Sequence, residues 1–202
     1  MSNVASTRNT AGPSARERLL NAASDLFYAE GVQTVGIDRI IERAGVAKAS
    51  LYNLFGSKEE LVAAYLATRH ENTRARLERA LSDLDSPREK ILAVFAVQAT
   101  QVRQPDFNGC AFIAASTEAP AGGLVEHATD EYRHWLRQLF TDLARDAGAS
   151  DPDQLGQQLH LIYDGVGISA RTDHRDVKVC DAARRAVTTL LDTQTPSESN
   201  GN

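Results

Sequence analysis

Long apolar runs and an excess of positive charge are missing from this 202-residue chain, and cysteine is scarce. No stretch approaches the apolar length a membrane helix needs, so no transmembrane segment is expected. Cys110 and Cys180 are the two cysteines, and no secretory apolar segment occurs. That favours reduced thiols in a cytoplasm, with both residues as small core side chains rather than a disulfide. The histidines (His70, His127, His134, His160 and His174) show only the loose heptad spacing of His127 and His134. No metal site and no cofactor are expected on that basis. A Gly-rich phosphate loop is absent, and Cys110 and His134 lack a recognisable third partner, so an enzyme is not expected. No run shows strand alternation either. All-α is the fold class, with about nine helices.

The net charge of −5 argues, at face value, against a nucleic-acid partner. It is unevenly spread. Residues 1–60 carry seven Lys/Arg against seven Asp/Glu, and residues 61–202 carry fifteen against twenty, which accounts for the whole −5. Within 36–58, four basic residues face two acidic ones, a local +2. A modest patch suffices for phosphate contacts when backbone N–H groups and helix ends also serve.

What is present is concentrated between Gly31 and Leu61. Ile37, Ile40, Ile41 and Ala44 fall at i, i+3, i+4 and i+7, giving one apolar face of a short helix. Gly45 follows where a turn needs a left-handed backbone. Val46, Leu51 and Phe55 can pack a second short helix back on the first. Lys48, Ala49, Ser50, Tyr52 and Asn53 are then left facing outward. Two of these are small enough for close groove approach; the others supply groups suited to phosphate oxygens or base edges. Ser57 with Glu60 three residues on forms a capping box, opening a helix whose first turn holds Lys58. A helix N-terminus already favours a phosphate there. An ordinary helical hairpin, or an adaptor that binds protein through the same hairpin, remains open on spacing alone.

The run Ala44-Gly45-Val46-Ala47-Lys48-Ala49-Ser50-Leu51-Tyr52-Asn53-Leu54-Phe55-Gly56-Ser57-Lys58-Glu59-Glu60-Leu61 resembles the hallmark of the TetR family of transcriptional regulators. Ala22 to Gly31 resembles that family's first helix, and the likeness covers about residues 14–65. It implies a helix-turn-helix that lays its second helix in the DNA major groove. Two departures stand out. Gly36 replaces a frequent threonine, so a phosphate contact there falls to the Gly36 N–H or to Thr34. Asn53 and Leu54 stand where aromatics or histidine are frequent, and Asn53 offers adenine a bidentate partner. The expected DNA contacts are therefore Thr34, Gly36, Lys48, Ala49, Ser50, Tyr52, Asn53 and Lys58.

The organisation expected along the chain is a disordered arm over 1–13, a DNA-binding domain over 14–60 with its motif at about 37–56, a helical domain over 61–194, and a disordered tail over 195–202. Arg8 is the arm's only charge. Capping signals place further helix starts at Ser14 and Ser86, with Asp151 as another. Helices are expected from Ser57 to about Leu81 or Leu84, from Ser86 to about Gln104, from Cys110 to Glu118, from about Leu124 to Ala147, to about Thr172, and from about Arg175 to Asp192.

The family likeness implies two tasks for the second part. One is a homodimer through the last two helices; Leu159, Ile162, Tyr163, Val166, Gly167 and Ala170, with Ala183, Ala186, Val187, Leu190 and Leu191, mix branched and small residues fit for close packing. Gly165 and Gly167 are read as close-approach positions. The other task is a largely apolar effector pocket lined by Phe95, Phe107, Cys110, Phe112, Thr117, Tyr132, Trp135, Leu139, His160 and Tyr163. The segment Phe107 to Ile113 resembles a stretch found in one subgroup of the family. Together these imply a regulator, most simply a repressor released from a palindromic operator by a small molecule, with an activator as the alternative.

Overall fold

The computed structural model describes residues 12–173 and 176–195. The expectations for the N-terminal arm up to Ala11 with Arg8, for His174 and Arg175, and for the tail beyond Thr195 lie outside the described residues. Nine helices and no strand are found among the described residues. They are α1 (Ala15–Glu30), α2 (Ile37–Ala44), α3 (Lys48–Phe55), α4 (Lys58–Leu81), α5 (Pro87–Val102), α6 (Ala111–Glu118), α7 (Leu124–Asp146), α8 (Pro152–Thr172) and α9 (Lys178–Gln194). They form two compact units that divide between Tyr65 and Leu66, so α4 runs through both.

In the first unit the local signals act as the residues require. Ser14 Oγ accepts from the Glu17 N–H at 3.2 Å while the Glu17 carboxylate accepts from the Ser14 N–H at 2.7 Å, which completes the box at the start of α1. Leu19, Ala23, Leu26 and Phe27 face inward from α1, Ile40 and Ala44 from α2, and Leu51 and Phe55 from α3. Tyr65 closes the core, its ring 5.8 Å from that of Phe27.

The turn between α2 and α3 rests on Gly45 at φ 63, ψ 44. The Gly45 N–H donates to the Glu42 carbonyl and the Val46 N–H to the Ile41 carbonyl, both at 3.2 Å, so two end carbonyls of α2 are satisfied. A Cβ added at Gly45 would meet no atom within 4 Å. The requirement is therefore purely conformational. Gly45→Ala is expected to cost about 1–2 kcal/mol, and Gly45→Asn less, because asparagine tolerates the left-handed region; thermal melts of the two variants check this.

In the second unit, Ser86 and Asp151 cap α5 and α8 through bonds from the Glu89 N–H at 3.3 Å and the Gln154 N–H at 3.0 Å. Each helix has a proline in its first turn, where the missing N–H costs nothing. Helix α5 stops at Val102, with Arg103 as its cap. Helix α9 starts at Lys178, whose N–H is taken by the Asp176 carboxylate at 2.9 Å.

Within the single chain, the close approach of helices is at Gly156 rather than at Gly165 or Gly167. A Cβ at Gly165 would meet nothing within 4 Å, and one at Gly167 would only touch Cys110 at 3.8 Å. Gly156 is the contact glycine: its added Cβ would fall 2.4 Å from Thr141 Oγ1 and 2.9 Å from the Thr141 Cα and N. Helices α7 and α8 are the most extensively packed pair, and this crossing is where they meet backbone to backbone.

Most of the expected dimer residues are core. Leu159, Val166, Gly167, Ala170, Ala183, Val187 and Leu191 are buried within the single chain. The solvent side of the same two helices instead carries Leu161 at 63% exposure, Ile168 at 50%, and the exposed Ala186.

Candidate functional site

Helix α3 buries Leu51 and Phe55 and turns Lys48, Ala49, Tyr52, Asn53 and Leu54 to solvent, with Ser50 half-buried between them. Tyr52 is 45% exposed, and Leu54, which sequence reasoning had not marked, is 40% exposed. Thr34 sits exposed in the turn before α2, and Gly36 caps that helix with no side-chain bond to offer. Lys58 opens α4, its Nζ donating to the Gln33 carbonyl at 3.5 Å. Ser57 Oγ accepts from the Glu60 N–H at 3.1 Å, as the capping signal requires. All eight expected DNA-contact residues thus belong to α3 or to the termini and turn beside it.

The electrostatics of this unit are largely internal. Lys48 Nζ lies 2.9 Å from Asp38, Arg43 2.8 Å from Asp25, and Arg39 grips Glu30 with both nitrogens at 2.6 and 2.9 Å. The hydrogen bond and charge of Asp38 hold the Lys48 ammonium above its ordinary value. Arg18 donates to the Ala44 carbonyl at 3.1 Å, tying α1 to the end of α2. The Arg16 guanidinium lies 4.9 Å from the centre of the Phe55 ring.

In the second unit, the interior gathers much of the expected pocket set. Phe95 packs with Phe140 and Tyr163 at ring separations of 5.6 and 6.0 Å. Phe112 stacks on Tyr132 at 3.8 Å, and Trp135 joins Tyr132 at 5.9 Å. The Tyr132 and Tyr163 hydroxyls share a hydrogen bond. Burial pushes Tyr163 up to about 12, and raises Tyr132 and the Cys110 thiol as well. Cys110 is therefore a neutral thiol beside two neutral phenols. His160 is buried, its Nε2 3.6 Å from the Asp164 carboxylate, which also pairs with Arg133 at 2.7 Å.

Other expected residues fall outside this group. Phe107 packs on the cluster of Val102, Val166, Ala170, Cys180 and Ala183. Thr117 is exposed, its hydroxyl donating to the Ala114 carbonyl at 2.9 Å, and Leu139 is half-buried. The interior also holds residues outside the expected pocket set: His70, Gln98, Arg133, Phe140 and Asp164. Gln98 had a readable signal, because it occupies the inward register of α5 together with Ile91, Val94, Phe95 and Val102. Its amide donates to the Tyr163 carbonyl at 2.7 Å, while Gln98 Oε1, His70 Nε2 and His160 Nε2 are buried with no hydrogen-bond partner among the described residues. Such groups are costly unless something bonds them.

Comparison with known proteins agrees with the first unit's geometry. Residues 19–65 match the family of bacterial regulatory proteins, tetR family. SCO4454, a TetR-family transcriptional regulator from Streptomyces coelicolor, superposes at a TM-score of 0.84 with 32% identity, covering 90% of this chain and 96% of that one. The chain belongs to the TetR family.

A second TetR-type regulator, from Streptomyces avermitilis, gives a TM-score of 0.80 and 38% identity over 90% of this chain and 98% of its own. The transcriptional activator FasR of Mycolicibacterium smegmatis is 39% identical over 137 residues, 66% of this chain and 60% of FasR. As a TetR-family member, this chain is a DNA-binding transcriptional regulator with a helix-turn-helix, and not an enzyme. No described helix is long and apolar enough to cross a membrane.

Two histidines in the second unit's interior are expected to make its stability sensitive to acid. Burial lowers both His70 and His160, opposed at His160 by Asp164 and at His70 by Glu71 and Glu131. Arg74 acts with burial at His70, and Arg133 and Arg137 do so at His160. A histidine whose folded value is depressed takes up protons more readily when unfolded. Its stabilisation is complete above the unfolded value of about 6.5 and is lost as pH falls below it. The thermal midpoint is expected to hold between pH 8 and 7 and to drop from about pH 6.5 towards 5; a midpoint flat across that range would remove both groups from the explanation.

Proposed function

We propose that this protein binds a palindromic operator as a homodimer, represses transcription there, and is released by a small molecule taken up within the second unit. One observation carries the DNA-contact assignment: α3 presents Lys48, Ala49, Tyr52 and Asn53 to solvent while it buries Leu51 and Phe55. Asn53 is placed to read a base edge. Tyr52, Ser50, Thr34, the Gly36 N–H and Lys58 hold phosphates that set the register. Lys48 reaches DNA only by giving up Asp38.

A single reader helix covers a few base pairs, so specificity requires a second copy related by a two-fold axis. Leu161, Ile168 and Ala186, exposed on α8 and α9, are the apolar residues that favour this interface over the buried ones. The effector assignment rests on the aromatic interior with its unbonded Gln98 Oε1 and His160 Nε2: apolar walls with a few polar groups are what a small-molecule site offers. An effector acts by its differential affinity for the DNA-competent state, and a coupling of about 1–3 kcal/mol changes operator affinity roughly 5- to 150-fold. Helix α4 belongs to both units and is the covalent route for that coupling.

The test begins with duplexes selected from a random pool by the purified protein. An enriched palindrome gives the operator and its half-site spacing. On that operator Lys58→Ala is expected to weaken binding evenly across sequences and to flatten the salt slope by about 1 for each protomer. Tyr52→Ala is expected to lose at least about tenfold. No enrichment at low salt from folded, dimeric protein would overturn the operator reading. Reporter expression in a strain lacking the protein then separates repression from activation.

A further inference from the structure

A cleft of about 440 Å3 opens in the second unit between α5 and α9. Leu92, Ala96 and Ala99 give it an apolar floor. Arg103, at the end of α5, and Arg184, on α9, line it from the two sides, with Asp181 and Thr100 beside them. A second hollow of about 450 Å3 continues along α9 past Arg185, sharing Asp181 and Arg184 with the first.

The cleft brings two uncompensated cations to one apolar hollow, whereas Arg39, Arg43, Arg74, Arg88, Arg133 and Arg145 are committed to carboxylates. Neither Arg103 nor Arg184 makes an ion pair among the described residues, although Asp181 is on the same wall. The two hollows together hold three arginines against one aspartate, a local +2 in a chain whose total is −5. The charge of Arg103 is also felt across the cleft, where it opposes the burial that raises the Cys180 thiol. Thr188 and Thr189 are bonded to the carbonyls of Arg184 and Arg185 in their own helix, so the anion-binding capacity lies with the guanidinium groups.

We propose that the α5–α9 cleft binds a small organic carboxylate, its head between Arg103 and Arg184 and its apolar body on the Leu92–Ala96–Ala99 floor. The volume lies within the range of small-molecule sites. Phe95 is shared with the aromatic interior, but the site stands on different polar groups and does not depend on the effector reading given above.

The test uses the full chain, titrated calorimetrically with 3-phenylpropanoate and, for comparison, with 3-phenylpropan-1-ol. Saturable binding of the acid is expected, with the alcohol weaker by about tenfold or more, since a charge-assisted bond is lost. The double variant Arg103→Gln/Arg184→Gln should lose the acid by a similar factor or more. Ala96→Trp, which keeps both charges and fills the floor, should lose it too. Arg103, Arg184 and Ala96 are exposed, so the fold should survive each change, as thermal melts would verify. The proposal is overturned by no saturable binding, by equal affinity for acid and alcohol, or by retention of the acid in either variant.

Discussion

Leu161→Glu/Ile168→Glu is expected to give a folded monomer that has lost at least about 100-fold in operator affinity. Both side chains stand in solvent in the single chain, so the substitution leaves its core untouched. In a two-fold dimer each change occurs twice, and four apolar side chains leave the interface. At about 1.5–3 kcal/mol for each buried Leu or Ile, some 6 kcal/mol is removed even at the low end, before charge repulsion is added. Sedimentation gives the assembly state and fluorescence anisotropy the affinity. A variant that remains dimeric would place the interface elsewhere and remove α8 from it.

Gly156→Ala should destabilise the fold by about 1–3 kcal/mol, although alanine is the better helix former. The new methyl would fall 2.9 Å from two backbone atoms of Thr141, and backbone cannot rotate away as a side-chain end can. Helices α7 and α8 must separate, and the interior between them loosens. Gly165→Ala is the informative contrast. Its methyl meets nothing in the chain, so in the monomeric Leu161→Glu/Ile168→Glu background it should raise stability by up to about 1 kcal/mol. Denaturant midpoints of the four proteins decide both points, and a neutral Gly156→Ala would mean that the two helices slide apart without cost.

The DNA-binding unit was legible because its determinants are local. The apolar spacing of Ile37, Ile40, Ile41 and Ala44, the left-handed Gly45 and the Ser14 and Ser57 caps each act within one helical turn. The nine helices followed from similar signals, with shifts of a few residues where no strong cap stands, as at the start of α9.

The exposed apolar face of α8 was not legible, and the register of that helix shows why. Leu159 and Val166 form one heptad-spaced stripe and Leu161 and Ile168 another, displaced by two residues around the same helix. Periodicity reports two apolar stripes without saying which one the chain keeps for itself. The interior group was half legible for a related reason. Aromatics at core registers are visible in sequence, but the meeting of Gln98 with Tyr163, or of Arg133 with Asp164, depends on how distant helices cross. Gly156 was overlooked beside Gly165 and Gly167 because the glycine itself carries no record of what faces it.

The ion pairs of the DNA-binding unit bear on how such a protein meets the wrong DNA. Most encounters of such a protein are with the wrong DNA, and a genome offers roughly 10⁶–10⁹ competing sites. Lys48, Arg39 and Arg43 meet every one of those encounters already held by Asp38, Glu30 and Asp25. Under the operator reading proposed above, random duplex competes with these carboxylates for the same cations, and the operator adds base-edge bonds that random duplex lacks. Self-neutralisation therefore trims the electrostatic share of non-specific binding, by no more than about 1 kcal/mol for each exposed pair.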